Sequence, residues 1–258
     1  MMAYGTAFLV GARRTLAARG DLSTQVGMML LVILALSSVW HAAAGAHGGH
    51  IGGYTWSELV WYITFAEACT VPVPARVIED IGEEIGSGEV AVAMLRPASV
   101  VGIRMAIEGG ASLARQWCCL VAGGAFAWFL AGPPPALLSI VAAIGAAFLS
   151  LLLSTALQHA LGGIAFWLKD ARSTWFLFQK LILIGGGVLL PLNLLPHAIS
   201  LIFIPLPFAA IAYVPGSFAA GHGSVALVLE QCCWLIVGMG AAFFVFSRGE
   251  RRLEVLGG

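Results

Sequence analysis

The placement of thirteen basic residues constrains this chain more than any other feature. Arg13, Arg14 and Arg19 form one group, and Arg76, Arg96, Arg104 and Arg115 a second. Lys169, Arg172 and Lys180 form a third, and Arg248, Arg251 and Arg252 the last. The stretches between them are free of Lys and Arg and long enough to leave one side of a bilayer and return. Lys and Arg concentrate on the cytoplasmic side of membrane proteins, so the grouping predicts an integral membrane protein with both termini cytoplasmic. Hydrophobic residues make up 60% of the chain and charged residues only 10%, against roughly 25% charged in a soluble domain. The formal net charge is zero, and no long-range positive field points to nucleic acid.

A crossing needs about 20 mostly apolar residues. On that measure the chain reads as six spans, near Leu22–Ala43, Ser57–Ala75, Trp117–Ala131, Ala136–Leu168, Thr174–Leu195 and Ser224–Phe246. Gly132-Pro133-Pro134-Pro135 cannot continue a helix and predicts the outer turn between the third and fourth. No cleavable signal peptide is expected, because the first span follows a basic amphipathic segment without a small-residue cleavage site.

Four regions depart from simple spans. Residues 1–21 set Phe8, Leu9 and Leu16 against Arg13, Arg14 and Arg19, predicting an amphipathic elbow helix on the inner membrane surface. Residues 76–116 form a cytoplasmic excursion carrying the densest group of charges. Within it Val77, Ile78, Ile81 and Ile85 recur at helical spacing, opposite Glu79, Asp80, Glu83 and Glu84. Gly86-Ser87-Gly88 breaks that helix, and a second apolar stretch ends at Arg96-Pro97. A charged hairpin standing alone on a bare membrane protein favours a docking surface, with Ile81 and Ile85 entering a partner's groove and Glu83, Glu84 and Glu89 along its rim. The region beginning at Gly185-Gly186-Gly187 is rich in proline; Pro191, Pro196, Pro205, Pro207 and Pro215 predict short re-entrant outer helices at Ala198–Ile204 and Pro207–Tyr213, with residues 197–223 a candidate outer gate. The tail carries Arg248, Arg251 and Arg252, which anchor the last span.

Cys69, Cys118, Cys119, Cys232 and Cys233 show no CxxC spacing and read as packing residues. His41, His47 and His50 lie in HAAAGAHGGH without a fourth ligand or thiolate, so a flexible polar loop is expected rather than a metal site. Glu67 and Lys180 are charges within expected spans. Counted inward from Arg76 and Arg172, both lie ~12–14 Å deep at 1.5 Å per residue. Matching depth makes them a candidate intramembrane pair, the alternatives being a snorkelling lysine and a neutral carboxyl.

Three stretches resemble a known family. Ile85–Pro97 (IGSGEVAVAMLRP), Ala165–Pro196 (AFWLKDARSTWFLFQKLILIGGGVLLPLNLLP) and Arg251–Gly258 (RRLEVLGG) are similar in order and spacing to the membrane subunits of type 2 ABC exporters. With the elbow-like start, the likeness runs over almost the whole chain. The resemblance implies an all-α integral membrane protein with six transmembrane helices, in the bacterial inner membrane. It implies a permease half that pairs with a second permease, identical or related, and with separate cytoplasmic ABC ATPase subunits. It also implies that ATPase coupling runs through Ile78, Ile81, Glu83, Glu84, Ile85, Ser87, Glu89 and Arg96. ATP and magnesium would be bound by the partner ATPase, with no cofactor in this chain. Independently, the sequence has no GxxxxGK[ST] phosphate loop: its two lysines, Lys169 and Lys180, follow Leu168 and Gln179.

Spans nearly devoid of polar lining point to an amphipathic substrate. Ser87 lacks a nearby histidine, which excludes a hydrolase built on it. An ion-coupled secondary transporter would use internal repeats and membrane carboxylates, and no repeat relates residues 22–130 to 136–246. A non-transporting membrane scaffold is the remaining alternative.

Overall fold

A computed structural model describes residues 2–46, 48–73, 76–94, 99–168 and 171–256. Among these residues four helices are long and apolar enough to cross a membrane: Arg19–Ala46, Val100–Ala131, Leu137–Phe166 and Val225–Arg252. The first follows helix α1 (Met2–Ala17) after a break at Ala18 and is α2 (Arg19–Ala46). The expected outer loop is folded: α2 carries His41, whose ring meets Trp56 edge-on at 4.8 Å, and His50 enters a hairpin. His47 lies outside the described residues. Strands β1 (His50–Ile51) and β2 (Tyr54–Thr55) are antiparallel. Gly52 and Gly53 join them with φ of 55° and 90°, the left-handed pair that a two-residue hairpin turn requires.

Thr55 then caps α3 (Trp56–Thr70) reciprocally with Glu58, satisfying two otherwise orphaned backbone donors. Every residue of α3 from Leu59 to Cys69 is buried; a helix apolar all round belongs in the centre of a bundle. It stops before Pro72, well short of the expected Ala75. At 15 residues its length is about 22 Å.

The chain turns into α4 (Val77–Ser87), a joint at Gly88 with φ 80°, and α5 (Glu89–Met94). The expected excursion to Gln116 is shorter, because α6 (Val100–Ala131) is helical from Val100 onward. Ser99 caps that early start by accepting from Gly102 N–H. The first turns of α6 serve as a bed for α1. A Cβ on Gly110 would strike the Phe8 carbonyl, one on Gly11 the Ile107 carbonyl, and one on Gly102 would lie 2.9 Å from the Tyr4 ring. Backbone approach this close needs glycine, so α1 packs on protein along one face.

Next come α7 (Leu137–Gly163) and α8 (Ala171–Gly185). The latter ends at the triple glycine rather than at Leu195; Gly187 takes φ 69°. A 3-10 turn at Leu192–Leu194 leads to α9 (His197–Phe203), α10 (Ala209–Ala219) and α11 (Val225–Leu256). Short helices stand at both places where re-entrant ones were expected, the first one residue earlier than Ala198–Ile204 and the second starting later and running farther than Pro207–Tyr213. Helix α10 is buried at every position except Phe218, packed between α3 and α7.

Candidate functional site

The apolar stripe of α4 is present and faces inward. Ile78 is fully buried among Leu153, Phe178, Ala210 and Ile211. Ile81 is fully buried with Val77, Val90, Val101, Phe166 and Phe246. Ile81, expected with Ile85 to enter a partner's groove, is instead enclosed within the chain. Helices α7, α8, α10 and α11 present apolar side chains here that need cover, and burying each isoleucine contributes about 1.5–3 kcal/mol. Ile85 is half-buried against the same cluster.

The opposite face of the hairpin is open. Asp80, Glu83, Ser87 and Glu89 are exposed, and α5 adds Val92 at 66% exposure. Ser87 Oγ donates to the Glu84 carbonyl at 3.3 Å. Glu84 forms an ion pair with Arg104 of α6, a tie not foreseen from the sequence. Desolvation raises the Asp80 carboxyl above its ordinary range; Glu83 adds to the shift, and Arg104 and Arg76 oppose it. Arg96 lies outside the described residues.

The outer-gate prolines mark element boundaries. Pro191 is buried at the start of the 3-10 turn, Pro196 precedes α9, and Pro205 and Pro207 separate α9 from α10. The irregular backbone they create is tied to neighbouring helices by side chains. Tyr62 O–H donates to the Gly187 carbonyl (2.6 Å), Trp234 Nε1 to Pro205 (3.0 Å), and Gln231 Nε2 to Ala146 (2.9 Å) and Ala210 (2.7 Å). Within α10, Pro215 has no N–H to offer the Ile211 carbonyl. Ser150 Oγ of α7 donates to that carbonyl instead. Non-helical backbone at membrane depth persists only when such groups are satisfied by protein or water.

Glu67 and Lys180 are not brought together. Lys180 is exposed, its Nζ 5.2 Å from the centre of the Phe176 ring. Glu67 is 6% exposed and lines a cavity of ≈ 350 Å³ between α3, α8 and α10. Counting residues along a helix gives no azimuth, and the Lys180 side chain is directed toward Phe176 instead. A second concavity, at the corner of α1 and α2, gathers Arg14, Arg76 and Arg115 with Asp21, three cations far apart in sequence. Arg115 Nε is held there by the Pro72 carbonyl at 2.9 Å.

The arrangement combines a bundle of long apolar helices, a buried helix interrupted by proline and the α4–α5 hairpin packed on the bundle by one face. No curated protein matches the chain. A family described as ABC-2 family transporter protein matches residues 26–257. That stretch takes in most of α2 and every helix from α3 to α11, and such proteins are the membrane components of ABC transporters, with ATP hydrolysis assigned to a separate subunit. The chain belongs to the ABC-2 transporter family and is a multi-pass membrane permease of that type.

Proposed function

We propose that this permease is half of an ATP-driven exporter in the bacterial inner membrane, facing a second permease, identical or related, and driven by cytoplasmic ABC ATPase subunits. The observation that carries the reading is the two-faced α4: Ile78 and Ile81 are sealed into the membrane bundle while Asp80, Glu83 and Glu89 stay open. A helix held this way transmits a push on its outer face to α7, α8, α10 and α11, because packed side chains transmit strain rather than absorb it. In this reading α3 and α8, each extended by irregular backbone, complete six crossings with the four long helices, and both termini are cytoplasmic. Residues 197–223, bounded by the prolines, form the outer gate. The exposed apolar helix faces favour an amphipathic substrate and a second permease against them.

Purification of the full-length chain from its own membranes in mild detergent tests the assembly. Expected is co-elution of an ABC ATPase with ATP hydrolysis, and ATP-dependent efflux once reconstituted. A chain that elutes with no ATPase, or that drives ATP-independent, proton-coupled flux, contradicts the reading; the second result would favour a secondary transporter.

A further inference from the structure

We infer that the cavity at Glu67 is a binding site for an organic cation carried on an apolar body. The inference rests on the permease reading and names the substrate class of that pathway. Glu67 is 6% exposed, and among the described residues it finds no ion-pair or hydrogen-bond partner for its carboxylate. It stands in the buried stretch Leu59–Cys69 of α3, whose other residues are apolar or, at Thr64, small and polar; the helix's other acid, Glu58, is engaged in the N-cap. Removing a carboxylate from water without compensation costs several kcal/mol, so a lone acid retained in a cavity wall calls for a positive ligand. Lys180, the nearest lysine in sequence on the facing helix, is turned away over Phe176.

The rest of the wall describes the ligand's body. Trp175, Phe178, Ile182, Leu183, Val188 and Ile211 line the same space. Trp175 and Phe178 bring aromatic rings to the wall, and an aromatic ring attracts a cation most strongly when the cation is desolvated. Thr70, the nearest hydroxyl, is committed to the Ala66 and Glu67 carbonyls. One carboxylate in a wall whose other polar side chains are Thr70 and Gln179 is a poor site for Mg²⁺ or Ca²⁺, which take about six or more oxygen ligands. It suits a quaternary or protonated amine bearing an aryl or alkyl group. A volume of ≈ 350 Å³ lies at the small end of ligand pockets, which run from about 300 to 1,000 Å³, and so favours a compact ligand.

The test is equilibrium binding of radiolabelled benzyltrimethylammonium to the full-length chain in nanodiscs of zwitterionic lipid. Expected is saturable binding that unlabelled cation displaces and benzenesulfonate does not. Glu67→Gln should weaken it by at least ~10-fold, and Trp175→Leu by ~3-fold or more. Glu67→Asp, which keeps the charge, should retain most of it. If Glu67→Gln fails to give a monodisperse protein, Trp175→Leu decides. Wild-type binding that is absent, that benzenesulfonate displaces equally, or that survives either substitution unchanged overturns the site. Such a failure with an ATPase still co-purifying removes the cation site alone, whereas loss of the ATPase removes the permease reading whatever binds.

Discussion

Ile81 of α4 packs against Gly162 of α7 so closely that a Cβ at position 162 would lie 2.7 Å from the Ile81 Cδ1 and 3.0 Å from its Cβ. The second distance decides the consequence: Cδ1 can rotate aside, whereas the Cβ moves only with helix α4. Gly162→Ala should therefore shift α4 outward and cost about 1–3 kcal/mol, the usual penalty of overpacking. Thermal unfolding of the purified permease measures the cost. In the assembled transporter the same substitution should lower the stimulation of ATPase activity by substrate more than basal hydrolysis. Unchanged stability would mean that α4 is not seated on α7.

The two faces of α4 should respond oppositely to charge. Ile81→Asp buries an unpaired carboxylate where the native residue is fully enclosed, and should destabilise the chain by about 3 kcal/mol or more. Glu83→Lys combined with Glu89→Lys changes exposed positions and should leave stability within about 0.5 kcal/mol. That pair should nevertheless weaken ATPase association, since interfacial charge complementarity is reversed. Parallel melting and co-purification of the two variants separates the effects.

Ser150 and Pro215 form a testable couple. Ser150→Ala leaves the Ile211 carbonyl buried without a donor, at a cost of about 1–3 kcal/mol. Pro215→Ala restores a backbone N–H four residues beyond that carbonyl, so in the Ser150→Ala background it should recover part of the loss. A double-mutant cycle read by thermal stability checks this; strict additivity would show that the hydroxyl and the missing N–H are independent.

Much of this was legible in the residues. The 3–4 spacing of Val77, Ile78, Ile81 and Ile85 named the apolar face of α4, but periodicity does not say what covers a face, and the cover is the bundle itself. The glycine and proline run after Gly185 announced broken helices. That α10 would be buried at nearly every position was hidden, because the donor for its orphaned carbonyl is Ser150, 61 residues earlier. Glu67 was conspicuous as a lone acid in an apolar span. Its separation from Lys180 was not, since counting residues along a helix gives depth and not direction. The early start of α6 escaped notice because residues 76–116 read together as one charged excursion, although the i, i+4 spacing of Arg104 and Glu108 is a helical signal.

The bed of α6 under α1 gives a further expectation. Gly110→Val would drive side-chain atoms into the backbone carbonyl of Phe8, which no rotamer change relieves. It should detach α1 and expose Arg13 and Arg14 to limited trypsin digestion at lower temperature than in the wild type. An unchanged digestion pattern would show that α1 is held elsewhere.

Coupling through the open face of α4 and α5 is tested most directly by placing the photo-crosslinker benzoylphenylalanine singly at Glu83 or Val92. Leu138, 80% exposed at the start of α7, serves as control. After irradiation of native membranes, Glu83 and Val92 should each give an adduct of permease and ABC ATPase, and Leu138 none. Absence of the adduct from both hairpin positions, or an equal yield from Leu138, would contradict docking at this face.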